Sequence, residues 1–264
     1  MSSIVSVWTV LLDHCGHCLE EMLGALPDDE QGRARRYLRR EDRERFVVAR
    51  MLIRRLCGAY FRLEPRAVPL RQSSLGKPYV AQEGWTGQHR LEFNISHSGN
   101  CVILVWTEGG PVGVDVEAVE RLCRGSFTEI ARSAFSSDEC AALASVKPED
   151  SATTFCRIWV RKEAILKAEG CGISGALQYF SVAFRSSHGV RWPDEIVFPP
   201  SARIWSIFDF NPAPGHVASA AVPVGCLFRK FQLSRLSAHE EFRSLHAVDE
   251  LAEGHELRGR PKSR

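Results

Sequence analysis

The order of predicted elements repeats along the chain, and this repeat is the strongest constraint on its fold. Ile4–Leu12 is rich in β-forming residues and predicts a strand, and a helical pattern then runs from Asp28 to about Arg62. Two further strands are predicted at Leu91–Ile95 and Cys101–Trp106. After roughly 110 residues the same order begins again with a strand at Val112–Glu117, although no residue-level repetition is visible. The sequence therefore predicts an α/β fold built from two similar halves.

The second half of the chain continues with helices and then strands. Helices are expected at about Phe127–Ala134, Ser137–Leu143 and Ser151–Glu169, and strands at about Phe180–Arg185, Arg203–Phe210 and Val217–Val222. After Gly225 the chain turns polar. We therefore divide it into an N-terminal α/β half at 1–110, a C-terminal α/β half at 111–226 and a polar, partly disordered extension at 227–264.

The composition is that of an ordinary globular protein. Apolar residues make up 44% and charged residues 25% of the chain, and the formal net charge is only +2. This balance argues against a disordered or fibrous chain and against a surface built as a whole for nucleic acid or membrane. The longest apolar run, Cys101–Trp106, is far shorter than the ~20 residues that span a bilayer, and Ile4–Leu12 lacks the flanks of a signal peptide. Nine scattered cysteines suit a reducing compartment, so we expect a cytoplasmic protein.

The segment Gly113–Glu117 carries two acidic side chains on one face of a predicted strand. Side chains alternate along a strand, so Val112, Val114 and Val116 face the core while Asp115 and Glu117 share the other face. Their Cα atoms are then ~6.6–6.8 Å apart, which allows both carboxylates to converge on a hard cation such as Mg²⁺. A half-buried strand with a solvated acidic face would give the same pattern.

The predicted helix that ends at Gly170 carries charge close to its apolar stripe. Phe155, Trp159, Lys162 and Leu166 lie along one stripe, and Glu163 flanks it. Lys167 lies four residues after Glu163, so the two side chains are neighbours. A charged residue on an apolar stripe is costly unless it reaches water, a partner or a ligand. Lys162 either snorkels beside a surface Glu–Lys pair or contributes to a site.

Two further segments are suited to phosphate. Phe93–Gly99 places Ser96 and His97 at the end of a strand, and arginines are concentrated from Arg33 to Arg45, with Lys77 downstream in Gly76–Pro78. An imidazole, a glycine-bearing turn and guanidinium groups all bind phosphate oxygens. A solvated basic face and a nucleic-acid surface remain alternatives, whereas a Ser–His nucleophile is not supported because no nucleophile elbow is present.

The Cys15–Cys18 segment has the spacing of a redox-active cysteine pair. It lies between a predicted strand and a predicted helix, as such a pair does in thioredoxin-like proteins. His14 stands where a thioredoxin-like motif would have Trp, and the chain is too long for one such unit. No second pair of metal ligands with matching spacing completes a zinc site.

Four motifs occur in an order that resembles the Sfp-type phosphopantetheinyl transferase family. They are Gly-Lys-Pro at Gly76–Pro78, Phe-Asn-x-Ser-His-Ser at Phe93–Ser98, Gly-x-Asp-x-Glu at Gly113–Glu117 and Trp-x-x-Lys-Glu-x-x-x-Lys at Trp159–Lys167. The basic Arg33–Arg45 stretch is also similar to the family's N-terminal half. The resemblance covers roughly Ile4 to Val222 and is far more specific than any single motif.

The resemblance implies transfer of the 4'-phosphopantetheine arm of coenzyme A to a serine of an apo acyl, peptidyl or aryl carrier protein, with release of adenosine 3',5'-bisphosphate. It implies that Asp115, Glu117 and Glu163 hold Mg²⁺ on the pyrophosphate. Glu163 would also accept the serine proton, directly or through water. Lys162 and Lys167 would approach the pyrophosphate, and Lys167 would stabilise the leaving group.

The resemblance also assigns a coenzyme A site. Arg33, Arg45 and His97 would bind the 3'-phosphate, Gly76, Lys77 and Pro78 would line the adenine side, and Asn94 and Ser96 would shape the same wall. The family fold places the active site in the cleft between two similar halves, with the coenzyme A side on the N-terminal half and the metal side on the C-terminal half. A duplicated chain of this kind completes its site as a monomer.

Three alternative functions remain open from the sequence. The protein could bind coenzyme A or a carrier protein without catalysis, although the intact Asp115, Glu117, Glu163 and Lys167 argue against this. It could be a thiol-disulfide oxidoreductase that uses Cys15 and Cys18. It could bind nucleic acid through its arginines, in which case the affinity would be strongly salt-dependent.

Overall fold

The computed structural model describes residues 3–14, 18–81, 91–123, 127–172, 177–187 and 189–233. Cys15 and the predicted extension beyond residue 233 lie outside these described residues. Within the described ranges, no helix is both long enough and apolar enough to cross a membrane.

The N-terminal half begins with a buried strand and continues with helices before it returns to the sheet. Its elements are β1 (Ile4–Leu11), α1 (Leu19–Ala25), α2 (Asp28–Arg35), α3 (Arg40–Phe61), β2 (Leu70–Gln72), β3 (Pro78–Val80), β4 (Glu92–Ser98) and β5 (Cys101–Thr107). The helix predicted from Asp28 to about Arg62 is therefore two helices, α2 and α3. The break lies between Arg36, which ends α2 in a helical conformation, and Arg39, whose extended backbone precedes α3.

The C-terminal half follows the same plan. Its elements are β6 (Gly113–Ala118), α4 (Val119–Leu122), α5 (Phe127–Ala134), α6 (Ser137–Ala144), α7 (Pro148–Glu169), β7 (Phe184–Ser186), β8 (Gly189–Arg191), β9 (Glu195–Phe198), β10 (Arg203–Phe210), β11 (His216–Pro223) and β12 (Leu227–Leu233). The strand predicted at Phe180–Arg185 is shorter and later than expected, because Leu177–Tyr179 forms a single 3₁₀ turn and pairing begins only at Phe184.

The two main sheets have matching strand orders. The first sheet runs β12-β1-β5-β4 and the second runs β6-β11-β10-β9, so β1-β5-β4 corresponds to β6-β11-β10. Helices α3 and α7 are each 22 residues long, and α3 packs on the first sheet as α7 packs on the second. This agreement between the halves supports the duplicated α/β plan that the element order predicts.

Strand β12 was not predicted, and it joins the two halves. The sequence places 227–264 in a polar extension, whereas Leu227–Leu233 pairs in parallel with β1 at the edge of the first sheet. Edge strands commonly carry charged residues, and the charges of Arg229 and Lys230 hide this strand in the sequence. The Phe228 ring stacks on Phe208 of β10, with 4.5 Å between ring centroids.

A row of polar side chains on β4 connects the first sheet to β6. The backbone N–H groups of Val114, Val116 and Ala118 donate to Asn94 Oδ1, Ser96 Oγ and Ser98 Oγ at 3.1, 3.4 and 3.1 Å. Residues at i, i+2 and i+4 of a strand face the same side, so one face of β4 satisfies every second N–H of β6. These bonds set the register of β4 against the strand that carries Asp115 and Glu117.

Candidate active site

A cleft of about 490 Å³ lies where the two halves meet. It receives side chains from α2, α3 and β4 of the N-terminal half and from β6 and α7 of the C-terminal half. Of the site residues predicted from the sequence, it brings together Arg33, Gly76, Pro78, Ser96, His97, Asp115, Glu117, Glu163 and Lys167.

Three carboxylates form the acidic end of the cleft. Asp115 and Glu117 lie on one face of β6, as the alternation predicts, and Glu163 faces them from α7. Burial, and then the charge of Asp115, raises the pKa of Glu117 to about 7 and that of Glu163 to about 7. The folded chain therefore holds negative charges close together at a cost, which is typical of a functional site.

The hydrogen bonds of these carboxylates leave part of their capacity unused. Ser96 donates to Asp115 Oδ1 at 2.8 Å, and Ser98 donates to Glu117 Oε2 at 2.7 Å. Asp115 Oδ2 and Glu163 Oε1 are buried and have no hydrogen-bond partner. Among the described residues, no three His, Cys, Asp or Glu side chains are already gathered as a metal-binding group. Unpartnered carboxylate oxygens are nevertheless the donors that Mg²⁺ prefers, so these residues fit such an ion chemically.

Lys167 supplies the positive charge at this end of the cleft. Its Nζ atom lies 2.6 Å from Asp115 Oδ1 and 3.0 Å from Ser96 Oγ. Its side chain is 29% exposed, so the ammonium group can also reach a ligand in the cleft. The backbone oxygen of the same residue accepts a 3.1 Å hydrogen bond from Lys77 Nζ.

Gly113 sets the distance between β6 and α7. A Cβ atom at this position would lie 2.0 Å from the backbone oxygen of Ala164 and 2.5 Å from the backbone nitrogen of Ala168. Only glycine therefore lets the strand approach the helix backbone this closely. This contact brings Asp115, two residues along β6, to Glu163 and Lys167 of α7.

The opposite end of the cleft is basic and aromatic. The guanidinium carbons of Arg33 and Arg50 lie 5.1 and 5.4 Å from the centroid of the Phe46 ring. With its amide oxygen turned toward them, Gln72 accepts from Arg33 Nη1 at 3.2 Å and from Arg50 Nη2 at 3.0 Å. Burial and the neighbouring cations lower the pKa of Arg50, so an anionic ligand here would meet partly desolvated donors.

His97 lies beside this basic end. His97 is exposed at the surface of the cleft. Partial desolvation by the surrounding residues lowers its pKa, and the positive charges of Arg45 and Lys167 lower it further. The free imidazole is therefore mostly neutral at pH 7. A bound anion would favour its protonated form.

The sequence did not identify Arg50, Phe46, Tyr37 or Gln72 as site residues. Arg50 carried a usable signal, because it lies four residues after Phe46 on α3 and so places a charge beside an apolar stripe. Gln72 carried none, because its position depends on how the β2–β3 hairpin folds back on α3.

Four predicted site residues do not line the cleft. Lys162 is completely buried and pairs with Glu139 of α6, so it does not reach a ligand in the cleft. This buried ion pair explains why a charged residue lies on the apolar stripe of α7. Asn94 is buried, accepts from the backbone N–H of Val114 through its Oδ1 atom and does not line the cleft. Arg45 donates to the backbone oxygen of Gly99 at 2.7 Å and pairs with Asp42, and Lys77 faces a smaller adjoining cavity.

The cysteine pair is only half described. The thiol of Cys18 is free and partly buried, whereas Cys15 lies outside the described residues. All eight cysteines that the structure describes are free thiols.

Comparison with known proteins identifies the family to which this chain belongs. A family model described as the N-terminal region of 4'-phosphopantetheinyl transferase matches residues 14–108, and the 4'-phosphopantetheinyl transferase superfamily model matches residues 111–210. The chain therefore belongs to the 4'-phosphopantetheinyl transferase superfamily, as the four ordered motifs predict.

Several 4'-phosphopantetheinyl transferases are similar to this chain over 62–84% of its length. The 4'-phosphopantetheinyl transferase HetI of Nostoc sp. is 30% identical over 222 residues, which covers 84% of this chain and 89% of HetI. A 4'-phosphopantetheinyl transferase of Bacillus subtilis is 28% identical over 166 residues, or 63% of this chain and 70% of the relative. The enzyme Sfp of Bacillus subtilis strain 168 is 28% identical over 163 residues, or 62% of this chain and 68% of Sfp.

Proposed function

We propose that this protein transfers the 4'-phosphopantetheine arm of coenzyme A to a serine of an apo carrier protein and releases adenosine 3',5'-bisphosphate. The observation that carries the proposal is the cleft itself. The basic and aromatic end of the cleft suits the phosphate of a nucleotide. At the acidic end, carboxylates lie beside Lys167, so a cation that binds a pyrophosphate and a carboxylate that accepts a proton are available in the same place.

Glu163 is the proposed proton acceptor. Its pKa of about 7 suits exchange of a proton near neutral pH, and its buried Oε1 atom has no other partner. The carrier serine Oγ attacks the pantetheine-side phosphorus and gives its proton to Glu163 Oε1. The bond from that phosphorus to the bridging oxygen breaks, and the electron pair leaves with adenosine 3',5'-bisphosphate.

Lys167 is proposed to stabilise the negative charge that develops on the leaving group. Its ammonium group already lies against Asp115, so it is held at the acidic end before substrate arrives. This prior placement is what makes electrostatic stabilisation effective, because no reorganisation is needed during the reaction.

Asp115, Glu117 and Glu163 are proposed to hold Mg²⁺. The ion would supply charge neutralisation at the pyrophosphate when bound. The unpartnered Oδ2 atom of Asp115 and the raised pKa values of Glu117 and Glu163 support this choice, since a cation would relieve the repulsion among the three groups, while Glu163 Oε1 stays free for the serine proton.

Coenzyme A is proposed to lie along the N-terminal half. Arg33, His97 and Arg50 would bind its phosphate groups, and Gly76, Pro78 and Ser96 would line the cleft wall beside them. Arg45 and Asn94 act indirectly in this proposal, since they hold the β4–β5 turn and the β4–β6 register in place. Lys77 links this half to α7 through its hydrogen bond to the backbone oxygen of Lys167.

One chain supplies both ends of the cleft, which favours a monomer as the active form. We assign the activity to the cytoplasm, because free thiols at every described cysteine suit a reducing compartment. The partner is an acyl, peptidyl or aryl carrier protein, and the basic face around α2 and α3 suits an acidic surface.

The decisive test is the intact mass of purified apo carrier proteins after incubation with this protein, coenzyme A and Mg²⁺. The expected result is a gain of one phosphopantetheine on the carrier serine that is blocked by EDTA. Carriers from fatty-acid, polyketide and nonribosomal-peptide synthesis should be compared in parallel. Binding of coenzyme A with no mass gain on any carrier would favour a non-catalytic binding protein.

A matched control separates the alternative chemistry. Serine at Cys15 and Cys18 should leave transfer unchanged, whereas a thiol-disulfide oxidoreductase would lose its activity.

A further inference from the structure

We propose that Arg161 and Lys162 are positioning residues, whose buried ion pairs fix the rotation of α7 so that Glu163 and Lys167 face Asp115. The proposal rests on the proposed function, since it concerns the placement of the proton acceptor. It replaces the expectation that Lys162 contacts the pyrophosphate.

Lys162 is held in a fully satisfied buried network. Its Nζ atom lies 2.7 Å from Glu139 Oε2 and 2.8 Å from Glu139 Oε1, and it donates to the backbone oxygen of Phe180 at 2.6 Å. Both ionic side chains are 0% exposed. Glu139 also accepts hydrogen bonds from the backbone N–H groups of Ser136 and Val182, at 2.9 and 2.8 Å. Lys162 therefore ties α7 to α6 and to the segment that follows the 3₁₀ turn.

Arg161 makes a second anchor in a different direction. Its Nη2 atom lies 2.6 Å from Asp209 Oδ2, and its Nε atom donates to both oxygens of Asp209 at 3.0 Å. Its Nη1 atom donates to the backbone oxygens of Val182 and Pro193 at 3.0 and 2.9 Å. Arg161 thus ties α7 to β10 and to the loop before β9.

The networks around Arg161 and Lys162 meet at the backbone of Val182, and the Arg161 network continues toward β6, the strand that carries Asp115. Val182 gives its N–H to Glu139 and its oxygen to Arg161, so both networks are fixed to one peptide segment. Asp209 also accepts from Ser219 Oγ at 2.6 Å, and Ser219 of β11 lies directly opposite Asp115 of β6. Helix α7 and strand β6, which carry the acidic residues of the site, are therefore connected through the same set of residues.

Helix geometry explains why consecutive anchors fix the next residue. Successive side chains project about 100° apart around a helix, so Arg161 and Lys162 hold α7 in two directions. The direction of Glu163 then follows, and Lys167 lies one turn further along the same face. Helix α7 cannot move closer to β6, because at Gly113 the strand already contacts the helix backbone at Ala164.

Burial argues against a direct role for either residue in ligand binding. Lys162 is 0% exposed and Arg161 is 2% exposed, and neither lines the cleft. Stability alone does not explain them well, since a buried ion pair often contributes no more than apolar residues of similar volume. Fixed orientation is a role in which such a pair differs from an apolar contact.

The test is the neutral pair Lys162→Met with Glu139→Gln, which keeps the side-chain volumes and an acceptor for Val182 N–H but leaves Ser136 N–H and the backbone oxygen of Phe180 without their partners. We therefore expect a lower melting temperature, with kcat lowered about 10- to 100-fold and the KM for coenzyme A changed by less than about twofold. Leu23→Ala is the matched control, because Leu23 is buried in the core of the N-terminal half, which is separate from the core that contains the α7 anchors. It should lower the melting temperature and leave kcat near the wild-type value.

A second variant covers the case in which the neutral pair does not fold. Arg161→Lys keeps the positive charge beside Asp209 but loses the hydrogen bonds to Val182 and Pro193, and it should also lower kcat with little change in KM.

Three outcomes would count against the proposal, each in a different way. Unchanged kcat in folded variants would make the anchors purely structural. A large rise in the KM for coenzyme A at constant kcat would mean that these residues bind the substrate. A wild-type protein that transfers nothing to any carrier would overturn the proposed function and, with it, the positioning role.

Discussion

At the scale of single residues, the burial that suits Glu163 to its proposed role as proton acceptor also has a cost to stability. Its carboxyl group is buried beside Asp115, and its pKa is raised to about 7 in the folded protein. The unfolded chain loses this proton at about 4.3, so the folded state binds more protons than the unfolded state between these values. The contribution of Glu163 to the free energy of unfolding of the metal-free protein therefore falls as pH rises from about 4.5 toward 7.

Glu163→Gln should remove part of this pH dependence and abolish transfer. A neutral amide in the same place no longer repels Asp115, so we expect the metal-free variant to melt a few degrees higher than the wild type at pH 8. At pH 5 the two proteins should be close. Thermal unfolding in EDTA across this range measures the effect, and a variant that melts below the wild type at pH 8 would contradict it.

His97 makes a separate prediction about coenzyme A. Its pKa is lowered in the free protein, and a bound phosphate would raise it. Binding should therefore take up protons near neutral pH, and affinity should weaken as pH rises from 6 to 8. Calorimetry in buffers with different ionisation enthalpies measures the uptake, and His97→Gln should remove it. Proton uptake that persists in this variant would assign the titration to another group.

At the scale of elements, the approach of β6 to α7 depends on one missing side chain. Gly113→Ala would place a Cβ atom 2.0 Å from the backbone oxygen of Ala164, so strand and helix must separate. We expect a lower melting temperature and a loss of transfer of at least about tenfold, because Glu163 and Asp115 move apart. Gly24→Ala is the control, since a Cβ atom there meets nothing within 4 Å. Full transfer by Gly113→Ala would show that this separation is not critical.

The sequence predicts some features of these elements and not others, for a physical reason. Asp115 and Glu117 share a face because strand alternation is local, and Glu163 and Lys167 are neighbours because helix spacing is local. The environment of Lys162 depends on Glu139, which lies 23 residues earlier on α6, and periodicity carries no information on such a pairing. The position of Arg50 in the cleft likewise depends on Gln72 and the β2–β3 hairpin.

At the scale of the whole molecule, two contacts between the halves hold the cleft in shape. Polar side chains of β4 pair with β6 on one side, and an apolar core between the sheets includes Val5, Ile103, Val114 and Ala220. Strand β12 leaves the second half and joins the first sheet beside β1. The last strand therefore couples the two halves, a role that local sequence could not predict because its partner β1 lies at the other end of the chain.

Phe228 is the residue through which this coupling can be tested. Its ring stacks on Phe208 and lies 6.1 Å from the Phe210 centroid, so it joins β12 to β10 of the other sheet. Because the ring is partly buried, Phe228→Ala should lower the free energy of unfolding by about 1–3 kcal/mol, less than a fully buried phenylalanine would. Leu227→Ala is the neighbouring control, since Leu227 is 58% exposed and should change stability little. Denaturant unfolding followed by fluorescence measures both variants, and equal losses would mean that the strand pairing alone, without the Phe228–Phe208 stack, joins the halves.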